Sequence, residues 1–319
     1  AALIIIIYFK GSFFWVAATI ALWGILIFLF KYFFTNKYIK FGPEYDQKMS
    51  KWIFNMAWPL GIVFIVNNLY FKIDTLMVFG IKGAAAAGIY TVAYKVLEVV
   101  AFIGSYFSSS LKPAISQNIK DNKKAVADII QKAITIMIMV ATPVTIVSIA
   151  FNREIILFLS NRDFLDSAKV LIFLALTLPF IYLDVLLLEI FIASDARSTF
   201  LKISLFIFLL NVTINAIVIP HFSYYGAAAT TLFSEFLLFQ LYLHNAKKIV
   251  PITINWRRIG LLLITSAISY GVAISLRLTG IYFLILAGVT VAIYLILLNF
   301  FKIFTLKELR QLLLGENNG

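Results

Sequence analysis

The chain has 319 residues, of which 62% are hydrophobic and 13% charged, and its mean hydropathy is +0.97. Soluble domains are about 45–50% apolar and about 25% charged, so a single soluble core cannot hide this apolar surplus. The absence of cysteine excludes disulfides and thiolate metal sites. The net charge of +12 is compatible with binding either to nucleic acid or to anionic lipid.

Apolar runs separated by short polar segments recur along the whole chain. A helix needs about 20 apolar residues to cross the hydrocarbon core, and lipid offers no partner to the polar groups of a non-helical backbone. The alternation typical of outer-membrane barrels is missing. We therefore predict an all-α polytopic membrane protein with a partial span at 1–9 and nine full transmembrane helices, at 13–34, 52–79, 84–111, 126–150, 167–193, 199–219, 225–244, 257–276 and 281–301.

The first residues, AALIIIIYFKGSFFW, contain no starting Met, no basic region and no cleavage site. This pattern is not typical of a signal peptide. We interpret it as the outer end of a span already under way, and we expect the chain to be a fragment.

Lysine and arginine are concentrated in alternate connections. The segments 35–51, 112–125 and 245–258 and the tail 302–319 carry most of them, whereas the connections between carry few. The positive-inside rule therefore predicts that 35–51, 112–125 and the C-terminus are cytoplasmic. The basic charge then reflects contact with anionic lipid head groups, not nucleic acid. On the other side, 151–166 has apolar residues at helical spacing and is predicted to lie on the interface.

Three segments carry a resemblance to a known family. WPLGIVFIVNNLYFKIDTLMV at 58–78 is followed by GIYTVAYKVLEVV at 88–100 and by Pro113, which is expected to end that span. YYGAAATTLFSEF at 224–236 adds a run of small residues with a glutamate inside the helix. In order and spacing these segments resemble the Wzx-type polysaccharide flippases of the multidrug/oligosaccharidyl-lipid/polysaccharide exporter superfamily.

The resemblance implies an architecture of two six-helix lobes, and it covers nearly the whole chain. It implies a MATE/MurJ-like helical lobe with an extra C-terminal helix pair, and most of the N-terminal lobe would be missing. The domains would be 1–34, the end of the N-terminal lobe; 35–51, a cytoplasmic linker; 52–244, the C-terminal six-helix lobe; 245–301, the extra transmembrane pair; and 302–319, a cytoplasmic tail.

The same resemblance implies a task in the cell inner membrane. Wzx-type proteins move an undecaprenyl-pyrophosphate-linked oligosaccharide between leaflets by alternating access, coupled to a proton or sodium gradient, during O-antigen and lipopolysaccharide biosynthesis. The implied partners are the lipid-linked oligosaccharide, membrane lipids and other polysaccharide-assembly membrane proteins. No cofactor, metal or nucleic acid is expected.

Lys95 and Glu98 lie in the middle of the predicted span 84–111. A charge at the bilayer centre costs about 2.5–3.5 kcal/mol on insertion scales. Three residues apart, the two can interact on one helix face, and Tyr94 shares a face with Glu98. One interpretation is an ion pair that only neutralises itself. The other is a wet cavity wall, with Lys95 meeting the pyrophosphate, Tyr94 stacking on sugar, and Glu98 as a proton or cation site.

Span 52–79 contributes Asn67, Tyr70 and Asp74 to the predicted cavity. Asn67 and Asp74 are seven residues apart and share a face, and Asp74 is a candidate for cation coupling. Tyr70 is a candidate for stacking on sugar. For Lys72 we favour snorkelling to the outer interface.

Asp184 and Glu235 are two further cation-coupling candidates. Asp184 follows Pro179 inside its span, and a helix–helix hydrogen bond is the alternative role. Glu235 lies near the centre of its span, one turn after Thr231, and the small residues 226–229 permit close helix contact.

The sequence does not indicate an enzyme. It has two histidines, both at predicted span ends, and neither a P-loop nor an HExxH motif nor a nucleophile elbow. The alternatives that stay open are a cation-coupled multidrug exporter, a peptidoglycan lipid-precursor flippase of the same fold and a membrane polysaccharide polymerase. Lys95 favours an anionic ligand over a cationic drug.

Overall fold

The computed structural model of the chain describes residues 13–38, 46–301 and 303, except for the side chains of residues 13, 16–17, 56–57, 59–68 and 70–71. Within this part every regular element is helical. The α-helices are α1 (Phe13–Asn36), α2 (Gln47–Lys82), α3 (Ala84–Asn118), α4 (Lys123–Ala150), α5 (Asn152–Leu159), α6 (Ser167–Ala193), α7 (Arg197–Ile249), α8 (Trp256–Arg277) and α9 (Phe283–Phe300), with a short 3-10 helix at Arg162–Phe164.

The predicted all-α polytopic class is confirmed. Seven helices of the described part are long and apolar enough to cross a membrane: α1, α3, α4, α6, α7, α8 and α9. The predicted partial span at 1–9 and the tail from residue 304 onward lie outside the described residues.

Helix α7 contains two spans. Its 53 residues would measure about 80 Å as one straight helix, against a hydrocarbon core of about 30 Å. The backbone breaks at Ser223, where φ is 53° and ψ is −139°. The two arms, which correspond to the spans predicted at 199–219 and 225–244, fold back on each other.

Side-chain contacts show that the arms of α7 are antiparallel. Ser204 Oγ lies 2.8 Å from the Tyr242 hydroxyl at the far end, and Asn211 Nδ2 donates to Ser234 Oγ at 3.3 Å nearer the break. Next to the break, a Cβ on Gly226 would come within 2.6 Å of Val218 Cγ1. Glycine at 226 therefore lets the two arms approach closely.

The chain divides into two compact units, residues 1–60 and 61–319. In the described part of the first unit, α1 exposes its apolar side chains along its length. In the second unit, α6 lies at the centre and contacts α3, α4, α5 and α7. Helices α8 and α9 pack on each other and on α4, where the Tyr294 hydroxyl donates to the Met139 carbonyl at 3.1 Å.

Hydrogen bonds between residues far apart in sequence show which connections lie at the same end of the second unit. At one end Lys82 Nζ donates to the Pro220 carbonyl at 2.7 Å, and Arg277 Nε binds Glu154 Oε1 at 2.7 Å. These residues border connections that were predicted to share the outer side. At the opposite end Thr253 Oγ1 donates to Gln131 Oε1 at 2.8 Å. The contacts agree with alternating spans, while the assignment of an end to the cytoplasm stays a prediction from charge.

One boundary was predicted wrongly. Pro113 was expected to end its span, but α3 continues through Pro113 to Asn118. Proline removes one backbone hydrogen bond, which membrane helices tolerate when water, side chains or neighbouring helices replace the lost partner. A helix does form in the connection 151–166, at Asn152–Leu159.

Candidate functional site

Three charged side chains meet between α2 and α3. Lys95 Nζ lies 2.6 Å from Glu98 Oε2, and Lys72 Nζ lies 3.3 Å from Glu98 Oε1. The expected interaction of Lys95 with Glu98 is confirmed. The interpretation that Lys72 snorkels to the interface is wrong, because the turn at Gly83, where φ is 85°, brings α2 back along α3 and places Lys72 opposite Glu98.

These charges are neither sealed in the core nor at the membrane surface. The exposed fractions of the Lys72, Lys95 and Glu98 side chains are 51%, 62% and 32%. The three residues lie eleven to fifteen positions from the Gly83 turn, which is roughly 16–22 Å along a helix. Charged groups at this depth require water or polar protein rather than lipid. The exposed face of the α2–α3 pair is therefore suited to an aqueous chamber.

Tyr94 supports the lysine on α2. Its ring centroid lies 5.4 Å from Lys72 Nζ, a cation–π distance, and 5.9 Å from the ring of Tyr90, which is nearly parallel. Tyr94 itself is 7% exposed. Its described contacts are with protein groups, and stacking on a sugar stays a prediction. Asn67 and Tyr70 lie on α2, but their side chains are outside the described residues, so their predicted cavity roles also stay predictions.

Asp74 lies on a different face of α2 and is buried, at 4% exposure. Three neutral donors reach its carboxylate: Thr231 Oγ1 at 2.7 Å and the Tyr90 hydroxyl at 3.1 Å from Oδ2, and Asn215 Nδ2 at 2.6 Å from Oδ1. No lysine or arginine of the described residues forms an ion pair with it. Asp74 thus joins α2, α3 and both arms of α7 around a buried carboxyl group.

The network continues through α7. Asn215 Nδ2 also donates to Asn211 Oδ1 at 3.0 Å, and Asn211 Nδ2 donates to Ser234 Oγ at 3.3 Å. The Asn215 Oδ1 atom is buried and has no hydrogen-bond partner among the described residues. The cluster therefore presents oxygen atoms from carboxylate, amide and hydroxyl groups, which are the ligands that hard cations prefer.

Sequence reasoning missed Asn211 and Asn215. Their signal is two asparagines one turn apart, NVTIN, inside an otherwise apolar span. Amides in lipid-facing positions are costly, so such a pair indicates a buried partner. Thr231 was considered only in relation to Glu235, but it donates to Asp74, and the Tyr90 hydroxyl does the same.

Asp184 on α6 and Glu235 on the second arm of α7 form a second acidic site. Both side chains are buried, and the Glu235 carboxyl lies within interaction distance of Asp184. Contacts between Phe180 and Phe236 at 5.5 Å fix α6 against α7 beside the pair. Neither oxygen of Asp184 has a hydrogen-bond donor among the described residues. Two buried carboxyl groups in contact cannot both ionise without a large cost, so the arrangement is suited to holding one proton between them.

These features define the class of the protein as a polytopic helical membrane protein with exposed lysines and buried carboxyl groups within its helices. Ionisable groups inside membrane spans generally mark functional positions. Comparison with known proteins agrees with this class. The family model MatE matches residues 59–217. The capsular polysaccharide biosynthesis protein CapF of Staphylococcus aureus is 25% identical over 224 residues, covering 68% of this chain and 55% of that protein.

Two further likenesses concern proteins named as lipid II flippases. The probable lipid II flippase MurJ of Rickettsia prowazekii is 28% identical over 212 residues, which cover 64% of this chain and 41% of that protein. A solved structure of the lipid II flippase MurJ in an inward closed conformation matches 84% of this chain and 58% of its own, with a TM-score of 0.68 at 19% identity. The latter shows a MurJ-like fold.

The chain is thus similar in sequence to MatE-type, CapF and MurJ proteins, and the MatE model matches just under half of its residues. The chain spans about half the length of the relatives that it matches.

Proposed function

We propose that this protein moves an undecaprenyl-pyrophosphate-linked oligosaccharide across the bacterial inner membrane by alternating access, as a Wzx-type flippase does. The ligand carries negative charge at its diphosphate and many hydroxyl groups beyond it. A protein that transports it needs fixed cations inside the membrane, and those cations must be reachable from water.

The observation that carries this proposal is the position of Lys72 and Lys95. Both ammonium groups lie on an exposed face at mid-depth and converge on one carboxylate within 3.3 Å. Two lysines that converge on one oxyanion suit a diphosphate, because each ammonium group acts as a point charge toward phosphate oxygens. A cavity for cationic drugs would not be expected to place two lysines here.

An apolar cavity on the same helix supports a lipid ligand. It has a volume of about 540 Å³ and lies between α3, α4 and α9, where Val96 and Val100 of α3 contribute to its wall. Val96 is the residue after Lys95, so a diphosphate at the lysines and an isoprenoid chain near this cavity would both contact α3.

The coupling ion would act at the buried carboxyl groups. We propose Asp74 as the principal site for a proton or a sodium ion, because it has neutral oxygen-bearing neighbours and no ion pair among the described residues. Asp184 and Glu235 would hold a second proton. Glu98 was predicted for the same role, but its ion pairs with two lysines favour a role at the anionic ligand.

A peptidoglycan lipid-precursor flippase is the second candidate, because that ligand has the same diphosphate chemistry and two of the likenesses are to proteins named MurJ. Deleting the gene separates the two. Accumulation of a diphosphate-linked polysaccharide repeat on the cytoplasmic leaflet would support the first function, whereas accumulation of the peptidoglycan precursor would support the second.

The lysine site is tested by translocation of a fluorescent polyprenyl-diphosphate oligosaccharide in proteoliposomes. We expect Lys95→Ala to lose most of the translocation rate and Lys95→Arg to keep more of it, since arginine retains the charge. Lys120→Ala, two residues after the end of α3, is a control that removes a lysine outside the site. Equal losses for Lys95→Ala and Lys95→Arg would indicate a packing role, and unchanged rates would refute the site.

A further inference from the structure

Glu98 occupies both lysines of the proposed diphosphate site. Its Oε2 is 2.6 Å from Lys95 Nζ and its Oε1 is 3.3 Å from Lys72 Nζ, so each carboxylate oxygen faces a different ammonium group. A phosphate group with two oxygens toward the same lysines would make the same pair of contacts. The carboxylate therefore stands where a ligand oxyanion would bind.

From this geometry we infer that Glu98 is an internal competitor of the anionic ligand: it occupies Lys72 and Lys95 when the site is empty, is displaced by the diphosphate, and returns to the lysines to release it. This inference rests on the proposed function, and it gives Glu98 a role that sequence reasoning did not consider.

Displacement is required because the carboxylate and a diphosphate cannot share these lysines. The two lysines carry two positive charges and Glu98 one negative charge, which leaves a net single positive charge for a ligand that carries at least two negative charges. Glu98 and a diphosphate bound to the same lysines would also repel each other. Binding therefore favours a conformation in which the Glu98 side chain has moved away.

The pairs that must break are weak enough to exchange. All three side chains are between one third and two thirds exposed, and ion pairs in such surroundings contribute little. The lysines are not equivalent, however, because Lys72 also lies over the ring of Tyr94, at 5.4 Å. The ring keeps Lys72 in position when Glu98 leaves, so the site does not collapse.

The inference predicts opposite effects of removing the acid and the bases. In nanodiscs, with farnesyl diphosphate as the probe and farnesol as the uncharged control, we expect Glu98→Gln to bind the diphosphate about five- to tenfold more tightly than wild type. Lys72→Ala and Lys95→Ala should bind it at least about tenfold more weakly. In proteoliposomes, the translocation rate of Glu98→Gln should fall, because release is slowed.

Glu154→Gln is the matched control, since Glu154 forms a comparable ion pair with Arg277 at 2.7 Å, far from these lysines. It should leave diphosphate affinity unchanged. Glu98→Asp keeps the charge on a shorter side chain, so its diphosphate affinity should lie between those of wild type and Glu98→Gln. It replaces Glu98→Gln as the test variant if that protein folds poorly.

The outcomes separate this inference from the proposed function. Unchanged or weaker binding by Glu98→Gln, with weaker binding by both lysine variants, would overturn the competitor role and leave the diphosphate site in place. If the lysine variants bind like wild type, the proposed function itself fails. Tighter binding by Glu98→Gln with a slower rate supports the inference.

Discussion

Replacing Asp74 tests whether the buried carboxylate is a structural hub and an ion site. Asp74→Ala removes the acceptor of three hydrogen bonds, from Thr231, Tyr90 and Asn215. Hydrogen bonds to charged groups contribute about 1.5–3 kcal/mol each. Each donor keeps one other partner, since Tyr90 and Thr231 remain 3.2 Å apart and Asn215 keeps its bond to an asparagine one turn away.

We therefore expect Asp74→Ala to lower the free energy of unfolding by about 2–4 kcal/mol, less than the three bonds summed. Asp74→Asn keeps the volume and an acceptor, so its loss should be smaller. The measurement is unfolding in mixed micelles, followed by the loss of helical circular dichroism. Asp195→Asn is the control, because that side chain is 77% exposed and asparagine tolerates the positive φ of 56° at this position.

The ion site is tested in the same experiment by replacing choline with sodium and by changing the pH. A ligand that binds only the folded state at 100 times its dissociation constant stabilises it by about 2.7 kcal/mol. Wild type should gain stability from sodium or from protons, and Asp74→Asn should gain none. An equal gain in both proteins would refute Asp74 as the ion site. A change below about 0.5 kcal/mol for Asp74→Ala would refute its structural role.

Two further substitutions test the packing and the acid pair. Gly104→Ala should destabilise the protein by about 1–3 kcal/mol, because its Cβ would lie 2.7 Å from the ring of the buried Tyr182. Gly271→Ala is the control: a Cβ at this position meets open space, so the substitution should be neutral or stabilising in the same unfolding assay. Glu235→Gln should keep or raise the free energy of unfolding, because its amide supplies a hydrogen-bond donor to Asp184, and it should slow translocation. A loss of stability above about 2 kcal/mol would contradict a proton shared between Asp184 and Glu235.

Hydropathy and length predicted most of the helical spans. Eight of the nine predicted spans lie in the seven described helices that are long and apolar enough to cross a membrane, whereas the span predicted at 52–79 lies in α2, which is not one of the seven. The interaction of Lys95 with Glu98 was also predictable, since both residues lie on one helix at a spacing of three. The alternation of basic and non-basic connections agrees with the two sets of end contacts in the second unit.

Contacts between helices were not predictable in the same way. Lys72 meets Glu98 only because the Gly83 turn sets the register of α2 against α3, and a shift of one residue would rotate Lys72 by 100°. Asn215 meets Asp74 across 141 positions of chain. The sequence carries the signal that such amides need partners, but the choice of partner depends on how four helical segments pack.

The four acidic candidates occupy three different environments, and this difference divides their proposed roles. Glu98 lies between two cations, Asp74 lies among neutral donors, and Asp184 lies against another carboxyl group. The first arrangement suits exchange with an anion, the second suits a cation, and the third suits a proton.

The surroundings of Glu98 and of Asp74 are also in physical contact. The Tyr90 hydroxyl donates to Asp74, the ring of Tyr90 stacks on Tyr94 at 5.9 Å, and Tyr94 lies under Lys72. Lys72 and Asp74 are two residues apart on α2, so any movement of α2 against α3 that changes one set of contacts must change the other. Coupling between an ion at Asp74 and a diphosphate at the lysines would therefore need no long pathway, only a small displacement of one helix against its neighbour.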